Sequence, residues 1–275
     1  MKCINKWICL SLLIAVSCVS GCGKTSAAIE QPYDVYATAA DFGLSSNGTA
    51  EAKSYFASNL CVSEDVAIGT DSTDSQVAEG AGTFNLETNT VVYAKNLYER
   101  LYPASTTKIL TAYIALKYCD DLDAMVTVSE NAVNQASDSS VCNLKAGDVI
   151  RLRDLLYGLM LRSGNDAAVA IAEYISGDVD SFAALMNQEA AAMGATRSHF
   201  VNPNGLPDEN HYTCVYDMYL IFSNAIKNDT FVSIIGTTSY DVTYTDASGE
   251  AVTHTWENTN QYLTGNATTP DGFQI

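Results

Sequence analysis

The chain has 275 residues, 47% of them apolar and 17% charged, which excludes a disordered chain and leaves material for a sizeable core. Its formal charge is −18, and because the first twenty-one residues hold two lysines and no acids, the remainder carries −20. That balance argues against nucleic acid, whose phosphates need Lys and Arg; the acids are spread along the chain, as on an ordinary soluble acidic surface.

Residues 1–22 read as a targeting segment. Lys2 and Lys6 form a positive start, and the apolar run 7–19 is too short to span a bilayer comfortably. It ends in Val19-Ser20-Gly21-Cys22. This resembles the bacterial lipobox, in which the cysteine is lipidated and becomes the new N-terminus; an ordinary secretory cleavage or an uncleaved anchor is the alternative. Each version puts the domain outside the cytoplasm. Cys61, Cys119, Cys142 and Cys214 then remain, and in that compartment they could form disulfides with three possible connectivities. There is no Cys-x-x-Cys, so no structural zinc site is expected.

Residues 23–80 read as spacer and ill-defined segment, with a short helix expected within 48–60 and a loop over 70–82. Residues 83–94 hold two β-prone runs around Glu87-Thr88-Asn89, the pattern of a hairpin. A helix is expected over 104–118, a short strand over 124–128, a helical turn from Ser129 and a loop over 141–148. From Arg151, leucines and a methionine recur at i, i+3, i+4, i+7 and i+8, which predicts a helix ending at Ser163-Gly164-Asn165. Further helices are expected over 166–175, over 180–193 with Gly194 closing it, and over 212–226. Residues 239–244 and 251–256 alternate as strands around Asp246-Ala247-Ser248-Gly249. This order predicts an α/β (α+β) domain over 81–275, its sheet built from both ends of the chain around a helical insertion.

Two motifs carry chemistry. In Pro103-Ala104-Ser105-Thr106-Thr107-Lys108, serine and lysine stand one turn apart on one face. A serine needs a base to become a nucleophile, and a desolvated lysine can be that base. The plain alternative is Ser105 as an N-cap and Lys108 as a solvated side chain. In Ser163-Gly164-Asn165, between two helices, a hydroxyl and an amide can relay a proton and hold a carbonyl; the plain alternative is a helix stop at Gly164 and an N-cap at Asn165. His199, His211 and His254 are scattered, so a Ser-His-Asp triad stays open, although no Gly-x-Ser-x-Gly elbow is present to seat its serine.

The hairpin, Lys95-Asn96, the Ser105–Lys108 motif, the block 155–168 around Ser163-Gly164-Asn165, residues 182–187, Gly194, the block 199–206 and Asn258-Thr259-Asn260 together resemble the serine-type D-alanyl-D-alanine carboxypeptidases, the low-molecular-mass penicillin-binding proteins. The resemblance covers roughly residues 81–273. It implies the penicillin-recognising serine-enzyme fold, an antiparallel sheet packed against helices. It implies a peptidoglycan stem peptide as substrate and β-lactams as inhibitors. Ser105 would be the acylated nucleophile, Lys108 its proton acceptor, Ser163 a proton relay and Asn165 a substrate contact, with no metal or organic cofactor. With Cys22 lipidated, the domain would sit on the outer face of the cytoplasmic membrane. The family's Lys-Thr-Gly motif, usual after an Asp-Gly, does not follow Asp271-Gly272-Phe273 before Ile275. The expectation from this departure is a chain cut one strand early or a replaced motif, and impaired activity. A non-catalytic lipoprotein that binds wall peptides, and a β-lactamase or esterase on the same fold, are the competing readings.

Overall fold

The computed structural model describes residues 57–69 and 78–268. The targeting segment with Cys22, the helix expected within 48–60 except its last residues, most of the loop expected over 70–82, and Asp271 to Ile275 lie outside the described residues. The compact unit that carries the site begins at Asn59.

The first strands, β1 (Ala81–Asn85) and β2 (Thr90–Lys95), form the expected antiparallel hairpin, with an irregular register between Thr83 and Phe84. Asn85 makes its turn: its Oδ1 accepts from the Glu87 and Thr88 backbone N–H groups. β1 starts at Ala81, inside the expected loop.

A 3₁₀ turn (Ala104–Thr107) then leads into α1 (Lys108–Tyr118). This helix is central. Leu110 and Ile114 pack with Phe182, Met186, Phe200 and Ile221, while Ala112 and Ala115 join a second cluster that holds Leu155, Leu156, Leu159, Ile171 and Trp256. A helix buried on both sides needs small residues on at least one of them, and the alanines supply that.

β3 (Met125–Thr127) and α2 (Glu130–Val133) follow, α2 capped by Ser129 Oγ, which accepts from the Ala132 N–H. Next come β4 (Val149–Arg151), α3 (Leu152–Leu161), α4 (Asn165–Ser176) and α5 (Val179–Ala192), with Gly194 at φ +85° closing α5 as expected. α6 (Val215–Ala225) starts three residues later than its apolar pattern suggests. Tyr212 and Thr213 are instead drawn into bridges with His199 and Leu101, and Cys214 becomes the cap. α7 (Asp229–Ile235) carries no sequence expectation; Asn228 caps it.

The final strands, β5 (Ser239–Thr245) and β6 (Ala251–Glu257), pair throughout, turning at Gly249 with φ +90°. The expected single sheet built from both chain ends is corrected here. Among the described residues β1 and β2 form a two-stranded sheet, which Ile68 joins by a bridge to Ala94, and β5 and β6 are extended by β4 and β3 from the middle of the chain. All pairings are antiparallel. β3 lies within the strand expected over 124–128; β4, with three residues, is too short for an alternation to show.

The open question of disulfides resolves simply: Cys61, Cys119, Cys142 and Cys214 are free thiols, and all but Cys119 are buried. No helix among the described residues is long and apolar enough to cross a membrane.

Candidate active site

Ser105 lies on the 3₁₀ turn and is exposed. In such a turn residues i and i+3 eclipse, so Lys108, the first residue of α1, stands directly beneath it. The Lys108 Nζ is 3.2 Å from Ser105 Oγ. It also donates to the Asn204 carbonyl at 2.6 Å. Lys108 is only 2% exposed. Burial pulls its pKa down from 10.5 to about 8, against the opposing pull of Cys142 and Asp166. At pH 7 about one such lysine in ten is neutral, against about one in three thousand for an unperturbed lysine. The solvated-lysine alternative does not describe this geometry.

The turn is strained. Ala104 sits at φ +48°, a left-handed conformation that costs a non-glycine residue roughly 1–2 kcal/mol. Its neighbours hold it there. Thr106 bonds the Pro103 carbonyl through both its N–H and its Oγ1. Gly205, itself at φ +88°, lies against the Ala104 carbonyl so closely that a Cβ would be 1.8 Å from the oxygen.

The Ser163-Gly164-Asn165 turn follows α3. The left-handed residue in it is Ser163, at φ +55°. Gly164 has φ −63° and is the N-cap of α4, without a side-chain cap bond, while Asn165 is the first helical residue. The helix-stop and cap assignments expected from sequence are thus each displaced by one residue. Gly164 is small for another reason: a Cβ there would meet Cys142 Sγ at 2.4 Å. Gly158, six residues earlier on α3, leaves room for the same sulfur. The Asn165 backbone N–H donates to the Ser140 carbonyl at 2.8 Å. The Asp166 carboxylate accepts from the N–H groups of Cys142, Leu144 and Ala167. Loop 140–144 is therefore stitched to the turn. Ser163 Oγ is buried and has no hydrogen-bond partner. Buried hydroxyls are nearly always partnered, so an orphan one marks Ser163 as a candidate functional group.

The structure brings Ser105 and Lys108 into direct contact. It sets the second turn close enough that Cys142 and Asp166, which pack on it, act on the charge of Lys108. It forms no histidine triad on Ser105. His211 turns both ring nitrogens elsewhere, to Thr107 and Val201. His199 Nδ1 meets the Asn210 carbonyl, and His254 is exposed on β6. Asn258 bonds the Ile235 and Thr237 carbonyls, and the Thr259 N–H reaches Leu161 O at the end of α3. Sequence reasoning gave no role to Asn204, Gly205, Cys142, Asp166 or His211, although the blocks 155–168 and 199–206, the latter with the turn cluster Asn202-Pro203-Asn204-Gly205, contain three of them.

A family model described as D-alanyl-D-alanine carboxypeptidase matches residues 69–274. The D-alanyl-D-alanine carboxypeptidase DacF of Bacillus subtilis is 35% identical over 164 residues, 58% of this chain and 42% of that protein. The D-alanyl-D-alanine carboxypeptidase of Streptomyces sp. strain K15 is 37% identical over 196 residues, 68% of this chain and 67% of that one. This chain thus spans less than half of the Bacillus relative's length. Among solved structures, the Streptomyces K15 DD-transpeptidase superposes with a TM-score of 0.63 at 35% identity, covering 68% of this chain and 74% of that chain. The D-alanyl-D-alanine carboxypeptidase DacD of Francisella tularensis gives 0.62 at 27% identity, covering 74% and 60%.

Proposed function

The chain belongs to the D-alanyl-D-alanine carboxypeptidase family, and on that premise we propose that it is a serine-type carboxypeptidase that removes the terminal D-alanine from peptidoglycan stem peptides in cell-wall maturation. The observation that carries this reading is a buried lysine, its pKa lowered to about 8, beside an exposed serine hydroxyl. The names of the relatives support the substrate class.

In this reading Ser105 Oγ attacks the carbonyl between the two D-alanines while neutral Lys108 takes its proton. The proton passes by way of Ser163 Oγ to the departing amine, as the C–N bond breaks and the serine ester remains. Asn165 contacts the substrate. Water then attacks the ester and gives a proton to Lys108, which passes it to Ser105 Oγ as the ester bond breaks and the shortened peptide leaves. A β-lactam acylates the same oxygen and stays. Residues 1–22 serve as a lipoprotein signal and Cys22 carries the lipid. In this reading the residues ahead of Asn59, where the compact unit begins, space the catalytic unit from the outer face of the cytoplasmic membrane.

The test is labelling of the purified protein with a fluorescent penicillin beside a Ser105→Ala control, followed by D-alanine release from a peptide ending in D-Ala-D-Ala. A stable band lost in the control, with release of D-alanine, is the expected result. Folded protein that takes no label overturns the reading, and rapid turnover of the penicillin turns it into a β-lactamase.

A further inference from the structure

We propose that His211 is a positioning residue for the nucleophile: its neutral imidazole, oriented by the Val201 N–H, donates from Nε2 to Thr107 Oγ1 and so fixes the 3₁₀ turn that carries Ser105. The proposal rests on the reading of Ser105 above.

Three observations carry it. First, Thr107 lies between Ser105 and Lys108 and is completely buried, so its hydroxyl cannot turn to water. His211, 1% exposed, supplies the partner at 2.8 Å. Second, the tautomer is determined by the backbone. The Val201 N–H points at Nδ1 from 3.1 Å, which makes Nδ1 the acceptor and leaves the proton on Nε2. Third, the bond is part of a wider clamp. The segment that runs from Val201 to His211 also receives Lys108 Nζ on Asn204 O and Thr111 Oγ1 on Pro203 O, and Gly205 covers Ala104 and Thr107 Oγ1. The strained turn is thus held from behind by one loop, and among the described residues His211 is that loop's only side chain hydrogen-bonded to the turn itself.

The charge balance agrees. Burial drives the His211 pKa from 6.5 down to about 4, His199 adding to the drop and Asp208 opposing it. The Phe200 ring meets it edge-on at 5.5 Å. Neutrality matters because a protonated Nδ1 would set donor against donor at Val201. Both ring nitrogens are engaged, by Thr107 and by Val201, and neither is bonded to Ser105, so its part is orientation.

The experiment compares Thr107→Val, Thr107→Ser and His211→Gln with the wild type. It reads the rate constant of penicillin acylation separately from the preceding binding constant. It also reads hydrogen exchange of residues 103–109, the ¹⁵N shifts of the His211 ring and the thermal midpoint. Thr107→Val is expected to lower the acylation rate constant at least tenfold with binding within threefold, and to speed exchange in 103–109. Thr107→Ser and His211→Gln, which keep the hydroxyl and a donor respectively, are expected to stay within threefold. Nδ1 is expected to show the unprotonated shift. Wild-type acylation by a stable Thr107→Val overturns the proposal, as does a proton on Nδ1 rather than Nε2. A loss of rate that only follows the unfolded fraction overturns it too, reducing the bond to a structural one. If the wild type takes no label, the reading of Ser105 falls, and the exchange and ring shifts alone then decide whether the bond fixes the turn.

Discussion

Gly205 touches the carbonyl of Ala104: both residues are left-handed, at φ +88° and +48°, and a single added carbon on Gly205 would lie 1.8 Å from the Ala104 oxygen. The contact is backbone against backbone, so no side chain can swing away to relieve it. Gly205→Ala is expected to cost about 2–4 kcal/mol, a fall of about 5–15 °C in thermal midpoint. Because the displaced group is the residue before Ser105, penicillin acylation should fall more than tenfold in the fraction that remains folded. Calorimetry and labelling of the same sample check both.

Lys108 sets the pH dependence. Its neutral form is the base, and burial brings its pKa to about 8. Acylation should therefore rise with pH from 6 and level off above about 8. The folded pKa lies below the unfolded value of 10.5, so the unfolded chain binds more protons between these limits. The contribution of Lys108 to stability is then complete above 10.5 and is lost as pH falls to about 8. Lys108→Arg keeps a charge that cannot be given up, and should lose about 10²–10⁴-fold in acylation. A pH–rate profile that is flat from 6 to 9 would remove Lys108 from this role.

Ser163 should separate stability from activity. Its Oγ is buried and unpartnered, a condition that costs about 1–3 kcal/mol. Ser163→Ala removes the oxygen and leaves the backbone strain at φ +55° unchanged. The variant is expected to be more stable by about 1 kcal/mol and slower in D-alanine release by about 10²–10⁴-fold. Ser163→Gly also relieves the left-handed strain and should be at least as stable. Lower thermal midpoints for both variants would show that the hydroxyl has a partner in solution.

Cys22 is the residue on which the proposed anchor depends. Labelling of cells with a fatty-acid analogue is expected to mark the wild type and not Cys22→Ser, which should leave the membrane fraction. Equal labelling of both would refute the anchor.

What the sequence revealed follows the range of each interaction. Ser105 and Lys108 are three residues apart, so their contact is a local matter of helix geometry. The same holds for the leucine period of α3 and the Gly194 stop of α5. Asn204 lies 96 residues from the lysine it holds, and it acts through a carbonyl, which every residue has. His211 meets Thr107 across 104 residues. No local pattern encodes such pairs. The left-handed turns were hidden because alanine and serine give no signal for positive φ; at Ser163-Gly164 the glycine drew the expectation one residue too far. β3 was legible as a short strand, but β4, three residues long, was too short to alternate, and Tyr212 looked helical because nothing nearby told of its bridge to His199.

Gly164 gives a last test, of the packing behind the second turn. Its φ of −63° suits any residue, so alanine there meets no conformational penalty. What alanine would meet is Cys142 Sγ at 2.4 Å, with Asp166 Oδ1 at 3.0 Å and Gly158 O at 3.3 Å behind it. Cys142 cannot yield easily, because its N–H is held by both oxygens of Asp166. Gly164→Ala alone is expected to cost about 1–3 kcal/mol as an overpacked site. Cys142→Ala alone leaves a small cavity and should cost about 1–2 kcal/mol. Together they fill one another's space, so the double variant should be more stable than the sum of the two losses by about 1 kcal/mol or more. Denaturant melts of the four proteins give that coupling. Simple additivity would mean that the sulfur does not shape the turn, and that Gly164 is required instead by the space beside Asp166 and the Gly158 carbonyl.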